Sequence, residues 1–205
     1  MARSLHAAGY RIIAGRSGRR TVLGKSRCVA ETWDHPPVSQ PQDFIAALTA
    51  FCSRSDLGAV FPVGDREIEL AAPLAGRLRP LIVAATPEII EVCSSKSSLL
   101  ALAGQCGVPT QPWEPIQHRE GLAAAAQRIG FPSVLKPDRQ ADDMLGFKAL
   151  ILRNPDDVSA AGATIAFPPC GFVLQRMGQG PRHNVYFVAG KGKLLAHSQV
   201  LNPAD

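Results

Sequence analysis

The chain has 205 residues, 46% hydrophobic and 19% charged, with 22 basic against 17 acidic side chains for a net charge of +5. That is enough polypeptide for one large or two small domains with a hydrophobic core of their own, and the apolar content excludes a disordered chain. The basic excess is too slight to argue for nucleic acid, the 6% of aromatics show no interleaving with basic residues, and no apolar run approaches the ~20 residues of a membrane span, so the expectation is a soluble, cytoplasmic protein.

Ala2 to Ala8 reads as a short helix closed by Gly9, and Tyr10 to Ala14 as a strand ended by Gly15. Helix, glycine and strand make the second half of a strand–helix–strand unit. Either the sheet lacks the preceding strand or the chain begins inside a longer fold. Arg3, Arg11, Arg16, Arg19, Arg20, Lys25 and Arg27 crowd this region, with no acid before Glu31. Such a stretch attracts phosphate, and its plain reading is a solvated face. Cys28–Ala30 is a short strand candidate, and Pro36, Pro37 and Pro41 mark a loop. Gln42 to Ser53 is an amphipathic helix with Phe44, Ala47, Leu48 and Phe51 on one face. Ala59–Pro62 and Leu81–Ala84 read as buried strands around a helix from Asp65 to Leu78. Short apolar strands alternating with helices predict a parallel sheet covered on both faces.

Ser94 or Ser95 is placed to cap a helix running to Cys106 and ending at Gly107. A short strand follows Pro112, then an alanine-rich helix from Glu120 to Arg128 stopped by Gly130. Pro132–Pro137 is a strand with Lys136 near its end, and Lys148–Leu152 is another. Pro155 opens a helix to Thr164, with Asp156 and Asp157 at its positive end. Gly171–Gln175, Asn184–Val188 and Lys193–His197 are strand candidates, and Gly190-Lys191-Gly192 signals a hairpin turn between the last two. The five cysteines (28, 52, 93, 106 and 170) show neither CxxC spacing nor nearby histidine, which points to reduced thiols.

Six of these segments, in this order, resemble the ATP-grasp superfamily in the style of carbamoyl-phosphate synthetase and related carboxylate–amine ligases. They are RSLHAAGYRIIAG, VFPVGDREIELAAPLA, SSKSSLLALAGQCGVPTQPW, IGFPSVLKP, GFVLQRMGQG and VYFVAGKGKLLAHS. The resemblance implies an α/β fold in two parts. Residues 1–90 would be a Rossmann-like pre-ATP-grasp domain without its first strand. Residues 91–205 would be the N-terminal α+β subdomain of the ATP-grasp fold, truncated before the metal-binding strands.

The implied function is the ATP-binding portion of a ligase that activates a small-molecule carboxylate as an acyl-phosphate for attack by an amine or thiol. Lys96 and Lys136 match the family's phosphate-side lysines, and a lysine is a mobile point charge suited to phosphate oxygen. Gln175, Arg176 and Met177 match the hinge that holds the adenine edge. Arg176 stands where family members commonly carry an acid. The loop from Asp138 to Gly146 matches the segment that closes over the phosphates, and Asp142 and Asp143 within it read as a solvated pair rather than a metal site. Mg2+ belongs to the complete family fold, yet Val158 to Ala204 contains no Asp or Glu, and a hard cation wants carboxylate oxygens. The chain alone is therefore expected to be inactive, as a fragment or as a short form completed by another chain. The alternative is a non-catalytic module that binds nucleotide or docks a partner.

Overall fold

The computed structural model describes residues 1–18, 23–140 and 145–202. It divides into two compact units, one from Met1 to Ser95 and the other from Lys96 onward. The dividing point falls a few residues beyond the one read from sequence because a helix, Pro87–Ser94, belongs to the first unit.

In the first unit, α1 (Ala2–Ala7) is followed by Gly9 at φ +86°, and then by β1 (Ile13–Arg16) and β2 (Glu31–Asp34). Next come α2 (Pro41–Phe51), β3 (Ala59–Val60), α3 (Asp65–Ala71), β4 (Leu81–Ile82) and α4 (Pro87–Ser94). β1 pairs parallel with β2, and β3 pairs parallel with β4, as two separate two-stranded sheets. The strand expected at Cys28–Ala30 forms instead at β2. There Arg16 and Asp34 stand opposite one another across the ladder and pair at 2.6 Å, while Trp33 stacks on Phe51 with centroids 4.2 Å apart. The helix expected to reach Leu78 stops early, because Pro73 turns it into a 3-10 segment over Ala72–Leu74. The core gathers Phe44 and Leu48, one helical turn apart on α2, with Cys52, Ala71 and Ile82.

Part of the basic stretch is internally neutralised. Arg11 pairs with Glu31 and Asp56, and Arg54 pairs with the same two acids. The Arg54 hydrogen bond holds the Asp56 carboxyl down at about 2. Arg19 and Arg20 lie outside the described residues.

The second unit holds α5 (Lys96–Gln105), β5 (Trp113–Ile116), α6 (Gly121–Ile129), β6 (Ser133–Pro137), β7 (Leu150–Leu152), α7 (Pro155–Thr164) and β8 (Phe172–Arg176). Its antiparallel sheet has the order β5-β8-β6-β7. Leu135, Leu152, Phe172 and Leu174 form its apolar face and share one core with Leu122, Ala125, Ala126 and Ile129 of α6 and with Val158 and Ala161 of α7. Asn154 caps α7 by accepting the Asp157 N–H at 3.0 Å. β9 (Arg182–Gly190) and β10 (Lys193–Asn202) form a separate hairpin. Lys191 (φ +51°) and Gly192 (φ +72°) make its two-residue turn, in the left-handed conformation that suits the twist of such hairpins.

Candidate phosphate and nucleotide site

β6 alternates buried and half-buried residues, so Ser133, Leu135 and Pro137 face the core while Val134 and Lys136 face outward. Register places Lys136 opposite Val173 and Val134 opposite Gln175, and Trp113 of β5 opposite Gln175 from the other side. Lys136, Gln175 and Trp113 therefore share the sheet face turned away from α6 and α7. Lys136 Nζ donates to Gln175 Oε1 at 3.4 Å.

The end of β6 is clipped to the start of α5. Lys96 N–H donates to the Asp138 carbonyl at 2.9 Å, and Ser97 N–H to Asp138 Oδ1 at 2.7 Å. Lys96 Nζ donates to the Pro137 carbonyl at 2.7 Å. An acid accepting from the first N–H groups of a helix suits the positive end of its dipole. Ser95, one of the two caps expected from sequence, sits buried just before α5. On its other side Asp138 N–H donates to the Gly171 carbonyl. Gly171 has φ +70°, and a Cβ there would come within 2.7 Å of the Ile116 carbonyl, so this corner needs glycine.

Both lysines thus meet at one corner. Burial and the neighbouring charge of Lys96 push the Lys136 ammonium below its ordinary value. Both influences favour losing the proton, and neither is a carboxylate, so an anion arriving here relieves them.

The hinge residues divide between faces. Gln175 joins the lysines. The Arg176 guanidinium stands on the opposite face, where it donates to the Ile129 carbonyl at 3.1 Å and caps the end of α6. Arg176 N–H donates to the Pro112 carbonyl at 2.8 Å, and Met177 N–H to the Pro132 carbonyl at 3.0 Å. Proline has no N–H to return, so the ladder offers no donor to the carbonyls of Arg176 and Met177 on those sides. Met177 is 40% exposed.

Trp113 and Asp138 were not singled out in the sequence. Trp113 is placed by strand register. Asp138 acts across 41 residues of chain, and no local pattern marks that. Asp142 and Asp143 lie outside the described residues. Among the described residues, no group of three or more His, Cys, Asp or Glu is placed to hold a metal ion, and no helix is long and apolar enough to cross a membrane.

No family model matches the chain. A 70-residue stretch is 41% identical to an N5-carboxyaminoimidazole ribonucleotide synthase of Pseudomonas aeruginosa, covering 33% of this chain and 19% of that protein. The N5-carboxyaminoimidazole ribonucleotide synthetase of Thermus thermophilus superposes over 99% of this chain and 51% of its own, with TM-score 0.71 and 22% identity. The biotin carboxylase domain of the 2-oxoglutarate carboxylase of Hydrogenobacter thermophilus, solved with MgADP and bicarbonate, superposes over 91% of this chain and 43% of its own, with TM-score 0.62 and 17% identity. The chain spans about half the length of these solved relatives.

Proposed function

Given that the chain has the fold of the N-terminal part of an ATP-grasp ligase, we propose that its second unit binds ATP for a ligase that activates a carboxylate as an acyl-phosphate. Lys96 and Lys136 hold the phosphates. Gln175 and the carbonyls of Arg176 and Met177 receive the amino edge of the base, and Trp113 flanks it on the same face. The observation that carries this reading is the meeting of two ammonium groups at one half-buried corner, where burial and then the charge of Lys96 lower the Lys136 pKa until an anion arrives. Phosphoryl transfer asks the protein mainly for positioning and for neutralising charge, and two lysines supply both.

The donor set does not fit Mg2+. The described residues bring no three or more His, Cys, Asp or Glu together at a metal-binding distance, and no Asp or Glu occurs in the sequence from Val158 to Ala204. No step is therefore assigned to the metal here. We place its ligands, and the acceptor amine or thiol, with polypeptide beyond these 205 residues or with a complementing chain. The relative whose name specifies a carboxylated amine supports an amine as acceptor. The same lack of acids favours a second reading, a nucleotide-binding module without catalysis.

ATP titrated calorimetrically into the purified chain tests the site. Saturable binding is expected, weakened about tenfold (~1.4 kcal/mol) in Lys136→Ala. Absence of binding, or unchanged affinity in both Lys136→Ala and Lys96→Ala, would overturn it. Steady ATP-dependent phosphate release by the chain alone would overturn the assignment of the metal ligands elsewhere.

A further inference from the structure

α5 has no buried side chain along its length, and Leu99 and Leu102 on it are 45% and 42% exposed. Apolar packing therefore does not set where this helix starts, although its first residue, Lys96, is one of the two cations of the phosphate corner. Polar contacts are left to fix it, and they converge on Asp138, which is buried.

Asp138 is itself firmly held. Its N–H donates to the Gly171 carbonyl at 3.0 Å, which continues the β6–β8 ladder one step beyond the Pro137–Phe172 pair. Pro137, just before it, is fully buried and its ring fixes the backbone. From this rigid strand end two acceptors reach the first turn of α5. The Asp138 carbonyl takes the Lys96 N–H at 2.9 Å, and Oδ1 takes the Ser97 N–H at 2.7 Å. The first N–H groups of a helix have no partner within it, so the strand end supplies what the helix cannot. With the turn held in this way, Lys96 Nζ lies 2.7 Å from the carbonyl of Pro137, the residue next to Lys136. The carboxylate also meets an electrostatic need. A cation in the first turn of a helix lies at the positive end of the dipole, and an adjacent anion offsets that.

We propose, on the reading of this corner as a phosphate site, that Asp138 is the positioning residue of Lys96: its carboxylate holds the first turn of α5 against the end of β6 and so sets the Lys96 ammonium beside Lys136. Asp138 acts through Lys96 and not on the phosphate, which a carboxylate would repel. The leading N–H groups of α5 are already engaged by Asp138, so an arriving phosphate meets ammonium groups rather than a bare helix end. Substituting the side chain leaves the carbonyl bond to Lys96 N–H in place and removes the bond to Ser97 together with the charge.

A thermodynamic cycle on the full chain, read by calorimetric ATP titration, tests this. Asp138→Ala is expected to weaken ATP binding about as much as Lys96→Ala does, on the order of tenfold, and the double variant to bind within about twofold of Lys96→Ala alone. Asp138→Asn keeps an oxygen for the Ser97 N–H and is expected to recover most of the loss. Wild-type affinity in Asp138→Ala, losses that multiply in the double variant, or an Asn variant as weak as the Ala variant would each overturn the proposal. A wild-type chain that binds no ATP overturns the nucleotide site instead, and the positioning role is then read without ligand, from the NMR titration of the Lys136 ammonium. The charge of Lys96 helps to lower the Lys136 pKa. Lys136 is therefore expected to titrate at higher pH in Asp138→Ala than in Asp138→Asn, two variants that lose the same charge, and the difference to vanish once Lys96→Ala is added to both. Equal titration in the two variants with Lys96 present overturns the positioning role whether or not ATP binds.

Discussion

At the scale of single residues, Lys136 carries the sharpest consequence. Its pKa in the folded chain lies below the ordinary 10.5, first through burial and then through Lys96. An ammonium that gives up its proton early stops attracting phosphate early. ATP affinity is therefore expected to fall as pH rises through that lowered value, well before an ordinary lysine would titrate. The unfolded chain keeps the proton to higher pH, so without ligand this group makes stability rise with pH across the same window. Lys136→Arg, with a charge that does not titrate there, is expected to flatten the affinity profile. A wild-type profile already flat to pH 10.5 would count against the buried corner. Arg176 behaves differently. Its guanidinium holds the C-terminal carbonyl of α6, so Arg176→Ala is expected to cost about 1 kcal/mol of stability, read as a lower denaturation midpoint. Both lysines were legible in the sequence from their segments. The split of the hinge between two faces was not, because it depends on which residue of β8 begins the alternation, and pairing alone decides that.

At the scale of elements, glycine and proline punctuation sets most boundaries to within a few residues. Gly9, Gly130, Pro155 and the Gly190-Lys191-Gly192 turn each act through local backbone chemistry. Structure departs from the local signal where tertiary pairing overrides it. β2 forms at Glu31–Asp34, whose polar sequence looks unlike a strand until Arg16, Arg11 and Arg54 are opposite it. α4 is a further element that the sequence reading lacks although Thr86-Pro87-Glu88 is a start signal; it is a short helix with no fully buried residue. The element that organises the second unit is β6, which is placed between two partners and sends one face to the core and the other to the lysine corner. Leu135 is fully buried between β7, β8 and the helices. Leu135→Ala is expected to destabilise by about 2–5 kcal/mol through lost burial and a residual cavity. Chemical denaturation checks this, and a loss under about 1 kcal/mol would mean that the core closes around the gap.

At the scale of the whole molecule, the most consequential feature is apolar surface that no described residue covers. Val185, Tyr186, Phe187 and Val188 are consecutive on β9 and each more than half exposed, and Leu194, Leu195 and Leu201 of β10 are in the same state toward the two ends of that strand. Because successive strand residues point to opposite faces, a consecutive run means that both faces of the hairpin are apolar and open. Long, exposed, apolar strands are the usual seed of edge-to-edge association. Their only evident guard is charge: Arg182, Lys191 and Lys193 with His183 and His197, and no acid between Arg182 and Asn202. Like charges on every copy repel at low ionic strength and are screened within about 8 Å at physiological salt. The chain is accordingly expected to self-associate increasingly as salt is raised, the reverse of an assembly held by ion pairs. Light scattering across a salt series reads this directly. Substituting Tyr186→Lys and Phe187→Lys, one residue on each face of β9, is expected to suppress the association and the accompanying binding of hydrophobic dyes. Neither side chain packs in the core of the second unit, so its thermal midpoint should be little changed. Association that persists undiminished in the double variant would shift the adhesive surface from this hairpin to another part of the chain.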